Sequence, residues 1–296
     1  LIGVGEAPTF PAAAQAVSRW ISASRQGRAN GLVIASIGVG SAAAPPLISA
    51  IMVHWGWRIA LVASAVPALA VGLAWLFVRE PGQLGNSRTP AGRGEAAGER
   101  LESSSFLLLS VSYTLQGYVG YIFVFWFYLY LVEVRHFDLL RGALLSSLPW
   151  VLSIMSIPLG GLISDRLVES SLGLTWGRRL VPLAGLSGSA VLIALGAHAA
   201  NAYAAAACLA LATALVLSVE GPFWATMMEL AGARSGAGGG IMNMGSNIGG
   251  LISPVLTPLL AARLGWENAL HVAAVIAWLA GLLWLGIAVK NSARRG

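Results

Sequence analysis

Charged residues are scarce in this chain and cysteine is almost absent. Asp, Glu, Lys and Arg make up 10% of the 296 residues, whereas a soluble domain averages about 25%. Cys208 is the single cysteine, which excludes an internal disulfide and a cysteine-based metal site. The net charge of +6 does not indicate a nucleic-acid partner, because the basic residues lie in short loops between apolar segments. The 57% hydrophobic content indicates an integral membrane protein.

Nine apolar stretches are long enough to cross a bilayer, whose core of about 30 Å takes about 20 helical residues. They lie approximately at 1–20, 30–52, 58–78, 106–132, 143–164, 180–199, 203–228, 238–262 and 268–289. The stretch 79–104 is rich in Gly, Glu, Arg and Pro and predicts a flexible linker. The fold class predicted by this pattern is an all-α membrane protein.

The basic residues divide unevenly between alternate loops. Fourteen of the 18 lysines and arginines lie in the set that contains the linker and the C-terminus. Cytoplasmic loops carry the excess of positive charge. We therefore expect a multi-pass membrane protein whose linker and C-terminus lie in the cytoplasm.

The chain contains an internal repeat. Residues 31–76 align without a gap with residues 240–285, and the matched pairs include the glycine and tryptophan of Gly56-Trp57 and Gly265-Trp266. A parallel repeat of this kind predicts two six-helix halves. Since the first half shows three segments, we expect three helices to be missing before Leu1. The predicted domains are a partial N-terminal bundle 1–78, the cytoplasmic linker 79–104 and a six-helix bundle 105–296.

Four motifs carry a family resemblance. They are Gly5-Glu6-Ala7-Pro8-x-Phe10-Pro11 with Arg19-Trp20, then Gly56-Trp57-Arg58, then Gly160 to Leu167 with Gly177-Arg178-Arg179, and finally Gly240-Ile241-x-Asn243-x3-Asn247-x-Gly249-Gly250 with Pro254. Together they resemble the anion:cation symporter family of the major facilitator superfamily, which includes sugar-acid transporters and sialin. The resemblance implies the major facilitator fold, with nine of an expected twelve transmembrane helices present.

Glu6 is the residue around which the functional prediction is organised. It is a carboxylate between glycines and prolines in a segment read as membrane-spanning. An ionisable group at membrane depth is rare and by default marks an ion or substrate pathway. The alternative is a helix-packing residue paired with a neighbouring donor. The family resemblance implies that Glu6 is a proton-coupling site.

Other polar residues at membrane depth are candidates to line a substrate cavity. Tyr113, Gln116 and Tyr121 lie at helical spacing, and Asn243 and Asn247 share one helix face. Packing, or an aromatic belt for the tyrosines, is the alternative; Tyr130, nearer the outer end, is assigned to the belt. Glu220 is either a further proton site or a structural partner that holds the bend at Pro222, and the structural role is favoured.

A charged cluster is predicted at the cytoplasmic side. Asp165, Arg166, Arg178 and Arg179 lie at helix ends, where an ion pair can hold an inner gate closed in one state. The alternative is a solvated loop that carries ordinary cytoplasmic arginines. The four histidines fall at predicted external or interfacial ends, so no metal site is expected, and no cofactor is implied.

The predicted function is secondary active transport by alternating access, with proton-coupled symport of a small organic anion such as a sugar acid. The expected partners are that anion, the proton and the lipid bilayer, and we expect a monomer. Two alternatives are a proton-antiport exporter of hydrophobic drugs and a non-functional transporter fragment. An enzyme is not predicted, because no nucleophile–base pair or metal-ligand spacing falls at membrane depth.

Overall fold

The structure, a computed structural model, describes residues 26–77, 104–231 and 234–289, and in these ranges every regular element is helical. The chain divides into two compact units, Leu1–Ala97 and Gly98–Gly296. The predicted segment 1–20, Glu6 within it and nearly all of the predicted linker lie outside the described residues. The domain boundaries at 78 and 105 therefore stay predictions.

The N-terminal unit contains two described helices, α1 (Gln26–Trp55) and α2 (Trp57–Trp75), which pack against each other. Gly56, the single residue between them, has φ 81° and ψ 165°. The matched glycine of the repeat, Gly265, has φ 85° and ψ 157°. The two copies of the repeat thus share one sharp turn in addition to their sequence.

The described part of the C-terminal unit contains seven helices of 12 residues or more. They are α3 (Ser104–Phe125), α4 (Leu139–Glu169), α5 (Gly173–His198), α6 (Ala202–Ser218), α7 (Glu220–Ala231), α8 (Ser235–Leu264) and α9 (Trp266–Leu283). A short helix, Phe127–Leu129, and a π-helical turn, Tyr130–Val134, follow α3, and a 3₁₀ turn, Trp284–Gly286, follows α9. Predicted segment 106–132 is therefore not one continuous α-helix, and segment 203–228 is two helices.

The described residues hold seven spans that are long and apolar enough to cross a membrane. They are α2, α3, α4, α5, the pair α6–α7, the greater part of α8, and α9 with its last turn. Helix α1, which contains predicted segment 30–52, is not among them. Large apolar side chains are exposed along these helices, for example Leu144, Met155 and Val191. Such exposure is expected where the surrounding medium is lipid, so the predicted all-α membrane architecture is confirmed.

Some helices extend beyond the predicted apolar segments, whereas α2, α3 and α9 end before their segments do. Segment 143–164 lies inside α4, Leu139–Glu169, and segment 180–199 corresponds to α5, which begins at Gly173. A hydropathy scan detects the part of a helix that lipid requires to be apolar. Helical hydrogen bonding continues into the polar ends of α4 and α5, so the scan underestimates the length of these two helices.

Small residues allow α3 and α8 to pack closely. A Cβ added to Gly117 would lie 2.5 Å from the carbonyl oxygen of Ser246, and a Cβ on Gly249 would collide with the backbone of Thr114. Transmembrane helices associate through such contacts because lipid provides no hydrophobic driving force. Elsewhere in the unit, α9 packs on α5, and α6 packs on both α4 and α5.

Tyr130 corrects one sequence prediction. It was assigned to a lipid-facing aromatic belt, but its side chain is 4% exposed and its hydroxyl accepts a hydrogen bond from Arg135 Nε at 2.8 Å. Arg135 also donates to the carbonyl oxygens of Gly196 and Ala199 at the C-terminus of α5. A guanidinium in this position satisfies helix-end carbonyls and interacts favourably with the helix dipole. The π-helical turn therefore brings Tyr130 inward to hold Arg135.

We expect Gly265→Ala to destabilise the protein by about 1–3 kcal/mol. The positive φ with ψ near 157° is a backbone conformation that is essentially restricted to glycine. The matched control is Gly240→Ala, since a Cβ added to this helical glycine meets nothing within 4 Å. Thermal unfolding in detergent should show a lower midpoint for the first variant only; equal midpoints would contradict the strained turn.

Candidate functional site

The span formed by α6 and α7 is interrupted near its middle. Helix α6 ends at Ser218 and α7 begins at Glu220. Pro222 has no N–H, so the Ser218 carbonyl lacks the helical donor four residues ahead. Helix α4 approaches this carbonyl at Gly160, where an added Cβ would collide with the Ser218 backbone. The missing N–H of Pro222 thus accounts for the break, and Gly160 allows α4 to approach the freed carbonyl closely.

Glu220 joins α7 to α3 through two hydrogen bonds. The Tyr113 hydroxyl donates to Oε2 at 2.8 Å, and Gln116 Nε2 donates to Oε1 at 3.0 Å. Gln116 also donates to the Val216 carbonyl at 3.3 Å. Tyr113 and Gln116 are 5% and 3% exposed. Each carboxylate oxygen thus accepts from an uncharged donor of the same helix face.

Aromatic rings enclose this cluster. The Tyr113 ring lies 4.9 Å from the ring of Phe223 and stands edge-on to Trp224 at 6.4 Å. Phe223 in turn contacts Trp284 at 4.9 Å. Apolar surroundings strengthen the hydrogen bonds to the carboxylate and make an unpaired polar group expensive. The cluster is therefore suited to hold α3 and α7 together, and its carboxylate can carry a proton if its hydrogen bonds rearrange.

The other cavity candidates lie elsewhere. Tyr121 is two turns beyond Tyr113 on α3, about 12 Å along the axis, and packs on Gly250 and Phe125. Asn243 and Asn247 are exposed on α8, and Asn247 Nδ2 donates to the Asn243 carbonyl at 2.9 Å. The structure thus brings Tyr113 and Gln116 to Glu220 and leaves these three residues apart from it. Their cavity role stays a prediction.

Arg178 forms the centre of a charged cluster at the other predicted site. Its guanidinium donates to Asp165 Oδ1 at 2.6 Å, to Glu229 Oε1 at 2.9 Å and to Ser164 Oγ at 3.2 Å. The Arg178 side chain is 11% exposed, whereas that of Asp165 is 62% exposed. These partners place the ends of α4, α5 and α7 around one guanidinium.

The neighbouring arginines behave differently. Arg179 Nε donates to the Ile287 carbonyl at 2.6 Å, and its guanidinium lies over the Trp176 ring at 5.1 Å. Arg166 is exposed. Of the four residues predicted for the gate, the structure thus joins Asp165 to Arg178, while Arg179 binds the residue that follows the 3₁₀ turn after α9.

Glu229 is the residue that sequence reasoning missed. Its side chain is 24% exposed and binds Arg178. The signal was present, because Glu229 is an acid at the end of a long apolar run, on a side where basic residues predominate. An isolated carboxylate there predicts a basic partner.

Comparison with known proteins identifies the family. The profile of the Major Facilitator Superfamily matches residues 1–239. The probable sulfoacetate transporter SauU of Cupriavidus necator is 28% identical over 90% of this chain, and the chain spans 65% of its length. The hexuronate transporter of Bacillus subtilis is 25% identical over 95% of the chain, and the chain spans 70% of its length. The probable galactarate/D-glucarate transporter GarP of Escherichia coli K12 is 24% identical over 91% of the chain, and the chain spans 66% of its length.

Solved structures match the fold. A bacterial homologue of the human lysosomal transporter Spinster, in its inward-facing and unoccupied conformation, superposes with a TM-score of 0.76 at 16% identity. The match covers 98% of this chain and 78% of that one. These three relatives are named as transporters of organic anions, which confirms the family resemblance found in the motifs. They are named as transporters and not as enzymes. This chain belongs to the Major Facilitator Superfamily.

Proposed function

We propose that the protein is a secondary active transporter that moves a small organic anion together with a proton by alternating access. The observation that carries the proposal is that three relatives are named for such anions: sulfoacetate, hexuronate and galactarate or glucarate. A sugar acid or related carboxylate is the proposed substrate class. The proposed location is a bacterial inner membrane, with the C-terminus in the cytoplasm and the protein acting as a monomer.

Glu6 is the proposed proton-coupling residue. An ionised carboxylate would repel an anionic substrate strongly in a cavity of low dielectric constant. A proton on Glu6 removes this repulsion, so anion and proton enter together. Release of the proton on the other side restores the charge and favours release of the anion.

Glu220 has a different proposed role. Both of its carboxylate oxygens already accept hydrogen bonds from α3, which supports a structural function at the helix break. Tyr121, Asn243 and Asn247 remain the candidates to face the anion. The exposed amides of α8 have the donor groups that a carboxylate requires.

Arg178 and its partners are proposed to hold the cytoplasmic ends of α4, α5 and α7 in one arrangement. If these ends move between inward-facing and outward-facing states, the ion pairs set the free-energy difference between the states. The exposed Asp165 is the partner most easily released, because water already competes for it.

The test is acid-driven uptake into proteoliposomes. Labelled glucarate, hexuronate and sulfoacetate are offered with and without an inward proton gradient. We expect Glu6→Gln to abolish accumulation driven by the gradient, while exchange of labelled for unlabelled anion persists, because the amide imitates the protonated acid. Glu133→Gln, at an exposed acid outside the described spans, is the control and should behave as wild type.

Each outcome decides the proposal. Accumulation by Glu6→Gln at the wild-type level would remove Glu6 from coupling. Uptake of none of the three anions, together with proton-driven efflux of a hydrophobic dye, would favour the alternative of drug export.

A further inference from the structure

Three metal-ligating side chains meet at one end of the C-terminal unit. His198 is the last residue of α5, and Glu267 and His271 lie in the first two turns of α9. The ligand atoms of the three residues all lie within 4.8 Å of one another. His198 Nδ1 is 2.7 Å from Glu267 Oε1, and the two imidazole rings are 4.5 Å apart between centroids.

Helical spacing and helix packing both hold the three side chains close together. Glu267 and His271 are four residues apart on one helix, so their side chains lie above each other on the same face. Helices α5 and α9 pack along their length through buried small and apolar residues, including Ile193, Ala273 and Ala277. His198 is therefore held opposite the other two ligands by the packed helix pair.

An ion pair accounts for only part of the cluster. The contact between His198 and Glu267 accounts for two of the three side chains, yet it gives the His271 ring no reason to approach a second imidazole. Two imidazoles that approach a carboxylate this closely are more readily understood as ligands of a shared cation. Two histidines and one glutamate are also a ligand set that binds zinc in other proteins.

We propose that His198, Glu267 and His271 form a binding site for a divalent transition-metal ion, with Zn²⁺ as the best fit. Bonds of about 2.0–2.2 Å in a tetrahedron place ligand atoms about 3.3–3.6 Å apart. Rotation of the side chains from separations below 4.8 Å reaches that spacing, and the 2.7 Å contact between His198 and Glu267 lengthens as the ion enters. His198 and Glu267 are 63% and 56% exposed, so the ion has open access and a water molecule can complete the coordination.

The site shares no residue with the proposed transport machinery. Its ligands belong to α5 and α9, whereas the clusters described above centre on Glu220 and Arg178. An ion bound here would link two helices that are already packed together. The expected consequence is therefore a more stable C-terminal unit, and the test is independent of whether the protein carries an organic anion.

The experiment measures equilibrium binding of Zn²⁺ to the purified protein, prepared without a polyhistidine tag, in detergent at mildly alkaline pH. Competition with a chromophoric chelator gives stoichiometry and affinity. We expect one ion per chain in wild type and at least a tenfold weaker affinity in His198→Ala and in His271→Ala, the minimum expected when a ligand is lost. His54→Ala, which removes an exposed histidine of the other unit, is the matched control and should bind as wild type.

A second readout separates coordination from loss of structure. Zn²⁺ should raise the thermal unfolding midpoint of wild type and of His54→Ala, but not that of His198→Ala. Substitution by Co²⁺ should give visible absorption bands typical of four-coordinate nitrogen and oxygen ligands. Equal affinity in wild type and in the two ligand variants, or a loss of affinity in His54→Ala, would overturn the proposal.

Discussion

Replacing Arg178 by methionine is expected to destabilise the protein by about 3 kcal/mol. Removal of one member of a buried ion pair typically costs about 3–5 kcal/mol, because the remaining charge is left without its partner. The Arg178 side chain is 11% exposed and its partner Glu229 is 24% exposed, so Glu229 keeps some contact with water and the lower end of the range applies. Chemical or thermal unfolding in detergent provides the measurement.

Arg166→Met is the matched control for this prediction. Arg166 is exposed on α4, and surface substitutions usually change stability by less than about 0.5 kcal/mol. The double variant Arg178→Met/Glu229→Met adds a further check, since removal of both charges should recover part of the lost stability. Equal unfolding curves for Arg178→Met and Arg166→Met would show that the cluster contributes nothing to folding.

Gly160→Ala is expected to reduce stability by about 3 kcal/mol, the upper end of the range for overpacking. The added Cβ would lie 2.7 Å from the carbonyl carbon of Ser218 and closer still to its oxygen. This contact is with backbone, not with a flexible side chain, and the break before Pro222 fixes the backbone position. Relief requires that α4 and α6 separate, which also moves Glu220 relative to α3.

The adjacent residue offers the control. Gly161→Ala meets nothing within 4 Å and removes a flexible glycine from a helix, so stability should be unchanged or rise by up to about 1 kcal/mol. The measurement compares unfolding midpoints and anion uptake in the two variants. If both variants behave alike, the close approach at Ser218 does not constrain the span.

The presence and approximate position of the described helices were largely predictable from sequence. In lipid, every backbone polar group must be satisfied within the segment, so a long apolar run has few alternatives to a helix. A bend at Pro222 was expected, but the end of the helix at Ser218 was not, because the run 203–228 carries one charged residue, Glu220, and is long enough to form a single span. Pro222 indicates an irregularity in the helix, but a proline can either kink a helix or end it. Which of the two occurs depends on the neighbouring helix that accommodates the freed carbonyl.

The candidate sites were also predictable only in part. Helical spacing made Tyr113 and Gln116 candidates to line a cavity, with packing as the alternative. Their hydrogen bonds to Glu220 depend on how α3 and α7 pack. Glu229 and the cluster of His198, Glu267 and His271 escaped prediction because each joins residues from helices that are distant in sequence.

The sequence alone determined the membrane class, the repeat, the motifs of the family and the residues that can carry a proton or a charge. These properties follow from composition, period and spacing, which are local along the chain. Only the tertiary structure decided which polar groups share a partner. Such pairings arise when two helices approach closely enough for side chains to meet, and in lipid that approach is decided by glycine and other small residues on both surfaces.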